Sequence, residues 1–260
     1  MQDKIIVITG ASAGIGAALA KQAGAAGARV VLAARRRKEL EEVAAASGRD
    51  ALVVVTDVSV RAEVEALASR AVEQFGRVDV WVNNAGRGIT RLPSQLTDED
   101  LDMMFRDNVK TALYGMQAIL PHFQSRNAGQ IINVSSLLGR VPYVAFRSAY
   151  CAAKHALNAL TAAMRTELRA THPGIVVTTV LPGPVATEFG LNAVGGGVDS
   201  RAMPGAQSAE EVAEVVLNAI RTRAIDVYTR PGYGDQVRRY YEDMETFERA
   251  SFAGPPRKES

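Results

Sequence analysis

The chain has 260 residues, 47% of them hydrophobic, with 30 lysines and arginines against 28 aspartates and glutamates. A net charge of +2 is too small to direct it to nucleic acid or an anionic membrane by field strength alone. Cys151 is the one cysteine, so no internal disulfide forms and nothing points to an oxidising compartment.

The opening MQDKIIVITG lacks the basic and long apolar regions of a signal peptide, and no apolar run approaches a membrane span. A cytoplasmic protein is expected. Short β-branched runs then alternate with longer Ala-rich stretches. Strands are predicted at 4–9, 29–33, 51–56, 78–82, 130–134, 175–181 and 225–229. Most are continuously apolar, as strands covered on both faces are. Helices are predicted at 12–24, 37–46, 61–75, 98–123, 149–170 and 209–221. Thr97 with Asp100 and Ser208 with Glu211 read as capping boxes. Repeated strand–helix–strand units predict one α/β domain over 1–260, a doubly wound, mostly parallel seven-stranded sheet with helices on both faces. The glycine-rich stretch 188–207 has no periodicity and reads as a loop over a substrate pocket. The tail, 234–260, places Tyr240, Tyr241, Phe247 and Phe252 among charges; covering the pocket, packing on another subunit and fraying all remain open for it.

The first strand runs into Thr9-Gly10-Ala11-Ser12-Ala13-Gly14-Ile15-Gly16. Glycines let the chain turn sharply and bring backbone amides against a pyrophosphate at a helix N-terminus. The second strand ends in Ala34, where an NAD site usually has an acid for the ribose hydroxyl. Arg35, Arg36 and Arg37 follow, and a guanidinium grips a 2′-phosphate that a carboxylate would repel. Further on, Tyr150 and Lys154 stand four apart in a predicted helix, so phenol and ammonium share one face. A phenol with an ordinary pKa of about 10 becomes a usable base only beside positive charge.

This pattern resembles the short-chain dehydrogenase/reductase family, with its T-G-x-x-x-G-x-G turn and Y-x-x-x-K pair, from about Lys4 to Thr229. The resemblance implies a Rossmann-type fold and an oxidoreductase moving hydride between a nicotinamide and a carbonyl or secondary alcohol. It implies Asn108, Ser136, Tyr150 and Lys154 as the catalytic set, with Ser135 as competitor to Ser136. The Ser136–Tyr150 spacing of fourteen is one longer than the family pattern, so the intervening loop departs from it. Gly10, Ser12, Gly14, Ile15, Gly16, Arg35, Asp57, Val58, Asn84, Ala85, Gly86, Tyr150, Lys154, Pro182, Gly183, Val185 and Thr187 are the implied cofactor contacts. Arg35 is the expected selector of NADP(H) over NAD(H). Leu138, Tyr143, Phe146 and Phe189, with Leu191, are expected to line an apolar pocket for a small-molecule substrate. His122, His155 and His172 are dispersed, so no metal is expected, and Trp81 reads as core. A homodimer or homotetramer through the helices starting near Asp98 and Ala149 is also implied. An epimerase or dehydratase on this fold, or a non-catalytic NADP-binding regulator, are the alternatives; the complete catalytic set favours redox chemistry.

Overall fold

The computed structural model of the protein describes residues 1–48 and 50–251. Seven parallel strands form one sheet: β1 (Ile5–Thr9), β2 (Arg29–Ala34), β3 (Leu52–Val55), β4 (Val80–Asn83), β5 (Gly129–Val134), β6 (Ile175–Leu181) and β7 (Asp226–Tyr228). Their order across the sheet is β3-β2-β1-β4-β5-β6-β7. The strand order reverses between β1 and β4. In open α/β sheets, that crevice at the carboxyl ends of the strands is where ligands bind.

Alternate residues of β1 feed two cores. Ile6 and Ile8 pack with α1 (Gly14–Ala25), α2 (Arg37–Ala45) and α7 (Ala209–Thr222). Ile5 and Val7 pack on the opposite face with α3 (Arg61–Phe75), α5 (Thr111–Arg126) and the distal part of α6 (Ser148–Thr171). Apolar residues at every position are thus what a strand buried on both faces needs.

A chain of polar side chains crosses the second core. Trp81 Nε1 donates to Asn83 Oδ1 (2.8 Å), Asn83 Nδ2 to Asn133 Oδ1 (2.8 Å), and Asn133 Nδ2 to Thr161 Oγ1 on α6 (2.8 Å). Each of the four is buried, and each finds a partner, which removes most of the cost of placing it there.

The expected helix over 98–123 is interrupted. Residues Asp98–Phe105 form α4, Arg106–Lys110 form a π turn, and α5 continues from it. Within the turn, Thr111 N reaches back five residues to Arg106 O, and its hydroxyl takes the bypassed Asp107 carbonyl (3.1 Å). Such bulges insert one residue into a helix and rotate the side chains beyond the insertion. The C-terminal stretch, read as a tail, forms α8 (Tyr233–Glu242) and α9 (Met244–Ser251); residues 252–260, Phe252 included, lie outside the described part. Among the described residues no helix is long and apolar enough to cross a membrane, and no three His, Cys, Asp or Glu side chains gather as metal ligands would.

Candidate active site

The glycine turn opens the site. Gly10 and Gly14 have φ of +65° and +53°, a region where L side chains are strained. A Cβ on Gly16 would press on the Gly10 carbonyl and come within 2.7 Å of Asn84 Nδ2. Asn84 Nδ2 in turn donates to Thr9 O (3.0 Å), and the amides of Asn84 and Ala85 donate to Thr9 Oγ1 (3.0 and 3.2 Å). The turn after β1 is therefore bolted to the turn after β4, across the strand-order reversal. Ala13, at the start of α1, supplies no capping side chain, and no acidic residue stands in the first turn. The amides there keep their donors for a ligand, and the helix dipole favours an anion. That donor set fits the pyrophosphate of a dinucleotide.

Beyond β2, Arg36 lies on the glycine turn: its Nε and Nη2 donate to Ser12 Oγ at 3.3 and 3.0 Å. The charge of Arg35 bears on Asp57. Asp57 is turned onto Ser59, accepting from its amide (2.9 Å) and hydroxyl (2.7 Å). Burial pushes the Asp57 carboxyl up, but those bonds and the charges of Arg35 and Arg106 outweigh it and hold it below its ordinary value. Val58 packs under the sheet. On the far side, Thr187 lies against Gly14, where a Cβ would meet its methyl at 3.2 Å. Pro182 O accepts from Leu137 N (2.7 Å), and a Cβ on Gly183 would run into the Tyr233 phenol. The segment 182–187 is thus wedged between the glycine turn and α8, with Ala186 N bonded to Gln207 O (2.7 Å) beside Val185.

Tyr150 and Lys154 share the buried face of α6, with Lys154 Nζ 5.6 Å from the phenol ring centre. Nζ donates to Val134 O (3.0 Å). Burial lowers the Lys154 pKa to about 8 and raises that of Tyr150 to about 12; Ser136 beside the phenol and the Arg147 charge offset part of the latter. Ser136 Oγ also accepts from Leu138 N (3.1 Å), which starts a short 3₁₀ turn. Ser135 points elsewhere, to Lys154 O (3.4 Å). Asn108 sits in the π turn; its Oδ1 accepts from Arg87 N (3.2 Å) and its Nδ2 donates to Arg87 O (2.9 Å) and Met104 O (3.0 Å). A Cβ on Gly86 would be 2.8 Å from Asn108 Oδ1 and 3.6 Å from Lys154 Nζ, so the three converge. All four residues of the expected catalytic set are on one spot.

Of the residues expected to line a substrate pocket, Leu138 and Phe189 pack around Tyr150. Leu138 packs on the cluster of Ile89, Met104, Val109, Ala149, Tyr150 and Ala153. Phe189 meets Tyr150 edge-on with ring centres 5.6 Å apart. Tyr143 meets Phe247 of α9 (5.8 Å), and Tyr241 of α8 donates to Arg140 O (3.0 Å), so α8 and α9 cover the loop beyond Ser136. Phe146 lies instead under the Arg147 guanidinium (5.7 Å). Leu191 is exposed. The stretch 188–207 is pinned at its middle, where Val194 N donates to Gly88 O (2.9 Å) and Thr90 N to Val194 O (2.8 Å).

A family model described as short chain dehydrogenase matches residues 4–194. The chain belongs to that family. An uncharacterized oxidoreductase of Staphylococcus saprophyticus is 37% identical over 190 residues, 73% of this chain and 77% of that protein. Among solved structures, a short chain dehydrogenase/reductase from Burkholderia phymatum in complex with NAD aligns over 100% of this chain and 98% of its own, with a TM-score of 0.85 and 27% identity. An alcohol dehydrogenase from Thermococcus sibiricus complexed with 5-hydroxy-NADP aligns over 89% and 98%, with a TM-score of 0.78 and 27% identity. This short chain dehydrogenase is an oxidoreductase of a family that binds a nicotinamide cofactor.

Three features around the expected site carry no clear signal in the sequence. The resemblance names Arg35 and leaves unassigned Arg36, which bonds Ser12 in the structure. Arg147 carries no motif. The helices α8 and α9 are hidden because their apolar residues are few; the aromatic spacing from Tyr233 to Tyr240 to Phe247, seven apart each time, is the available signal.

Proposed function

We propose that this dehydrogenase interconverts a small-molecule carbonyl and its secondary alcohol at the expense of NADP(H), with Tyr150 as proton donor and acceptor. The observation that carries the reading is the buried meeting of the Tyr150 phenol, the Lys154 ammonium and the Ser136 hydroxyl beside Gly86. The amides of Gly14, Ile15 and Gly16, with Gly10 and Ser12, would hold the pyrophosphate. Asp57 and Val58 would border the adenine, and Asn84, Ala85 and Gly86 the central portion. Pro182, Gly183, Val185 and Thr187 would hold the carboxamide end. The nicotinamide, when bound, supplies the hydride donor or acceptor.

The residues divide the remaining work. At neutral pH a phenol at about 12 is protonated, the state that carbonyl reduction needs, and Tyr150 passes that proton to the developing alkoxide. The Ser136 hydroxyl orients the substrate oxygen. Lys154, still mostly charged at neutral pH, stabilises the phenolate that is left. The Asn108 amide is spent on the backbone of Arg87 and Met104, so we assign it a positioning role, holding the Gly86–Arg87 turn against Lys154.

The NADP preference is supported by Ala34 in place of an acid and by the Arg36–Ser12 pair beside the glycine turn, with Arg35 adjacent. Assembly into a dimer or tetramer through the helical stretch that starts at Asp98, α4 with α5, and through α6 is carried over from the family resemblance. Tyr150→Phe should keep cofactor binding, measured by fluorescence titration, and lose about 10²- to 10⁴-fold in turnover. Undiminished turnover would remove Tyr150 from the reaction. A panel of ketones monitored for net cofactor oxidation separates this reading from epimerisation, which consumes none.

A further inference from the structure

Arg147 immediately precedes α6, three places before Tyr150, and its charge bears on the phenol. Its side chain is half-buried, and desolvation lowers its pKa. Nη1 donates to Ile89 O (3.1 Å), and among the described residues no carboxylate makes an ion pair with it. The nearby Arg91 shows the contrast: it is paired with buried Asp100 at 2.9 Å. A guanidinium taken partly out of water without a counter-charge is costly, and four of its five N–H donors have no acceptor among those residues.

It stands beside the phenol and the Phe189 ring. A Cβ on Gly88 would lie 3.0 Å from Arg147 Nη1 and 2.9 Å from Phe189 Cε1, and the Phe189 ring packs on Tyr150. Guanidinium, aromatic wall and phenol therefore border one small space. A planar fork of donors in that position matches a carboxylate held by two parallel hydrogen bonds.

We propose that Arg147 receives a carboxylate of the substrate, which makes the substrate a 2-keto acid, or the matching 2-hydroxy acid, with its carboxylate adjacent to the reacting carbon. This rests on the carbonyl-reduction reading above and adds the substrate class to it. Arg147 then acts as a specificity residue: it fixes which end of the substrate enters beside Phe189 and turns the carbonyl toward Ser136 and Tyr150.

The test compares benzoylformate with its methyl ester, which has the same ketone without the charge. Wild type should favour the acid in kcat/KM by at least about tenfold, and Arg147→Met should lower the acid-to-ester ratio by about 10- to 100-fold, the range for a hydrogen bond to a charged group. Arg147→Lys should restore part of the ratio. An ester turned over as well as the acid by wild type overturns the proposal. So does an equal loss on both substrates in Arg147→Met, because a residue that only ties α6 to Ile89, or only assists Tyr150, would act on both alike. Calorimetry on cofactor-loaded protein gives a readout without turnover: benzoylformate should bind wild type and bind Arg147→Met at least tenfold more weakly, and equal or absent binding overturns the assignment. Tyr150→Phe run in parallel should bind benzoylformate and not reduce it. If it reduces both substrates, the catalytic reading fails while the Arg147 ratio is still measured.

Discussion

The two sides of the pocket are built by different means. On the side expected to take the cofactor, the scaffold is backbone: glycines at positive φ, uncapped amides at the start of α1, and Asn84 stitching two turns together across the sheet. On the side expected to take the substrate, side chains from three segments pack in pairs, Tyr143 on Phe247 and Phe189 on Tyr150, with Arg147 beside Phe189. Backbone cradles tolerate almost no added atoms, whereas walls of side chains can be rebuilt one residue at a time. The contrast explains why a single cofactor turn can serve many substrate pockets.

Three substitutions sharpen or break this contrast. Gly16→Val adds bulk against the Gly10 carbonyl and Asn84, at about 1–3 kcal/mol of overpacking. It should weaken cofactor binding by at least about 100-fold while far-ultraviolet circular dichroism still reports a folded sheet; wild-type affinity would show that the turn is softer than its geometry implies. Arg36→Ala should cost a smaller amount, about tenfold in the preference for NADPH over NADH, because the side chain is exposed and solvent screens it. Titrating both cofactors measures it, and a loss found instead in Arg35→Ala would reassign the role. Phe247→Ala removes an edge-on partner of Tyr143 and should raise the substrate KM about two- to tenfold with cofactor affinity unchanged. Equal loss on both sides would mean the two halves of the pocket are mechanically one.

The same division governs how much is legible in the amino-acid order. The glycine turn, the Tyr150–Lys154 spacing and the apolar strands are local in sequence, because each depends on backbone conformation or on one helix period. Strand limits agree within one or two residues, and α3 matches at both ends. The π turn at Arg106–Lys110 is not legible, since what favours it is the docking of Asn108 on Arg87, twenty-one positions away. Arg147 looks like one more solvated cation ahead of a helix; its lack of a carboxylate partner among the described residues is a tertiary property. Trp81 is expected in the core and is there, but nothing in sequence ties its indole N–H to Asn83.

The row of polar groups from Trp81 to Thr161 has an effect on timing within the helix that carries Tyr150. Thr161 is eleven positions beyond the phenol, close to three full turns, so both project from nearly the same side of α6. Sliding α6 by one residue, 1.5 Å along its axis and 100° around it, would leave Asn133 Nδ2 only the Met116 sulfur as acceptor and swing the phenol away from Ser136 together. The hidden amides therefore act as an index pin: they set the rotation and height of the catalytic helix from inside the molecule, leaving the residues around the pocket free to vary without throwing the phenol out of alignment.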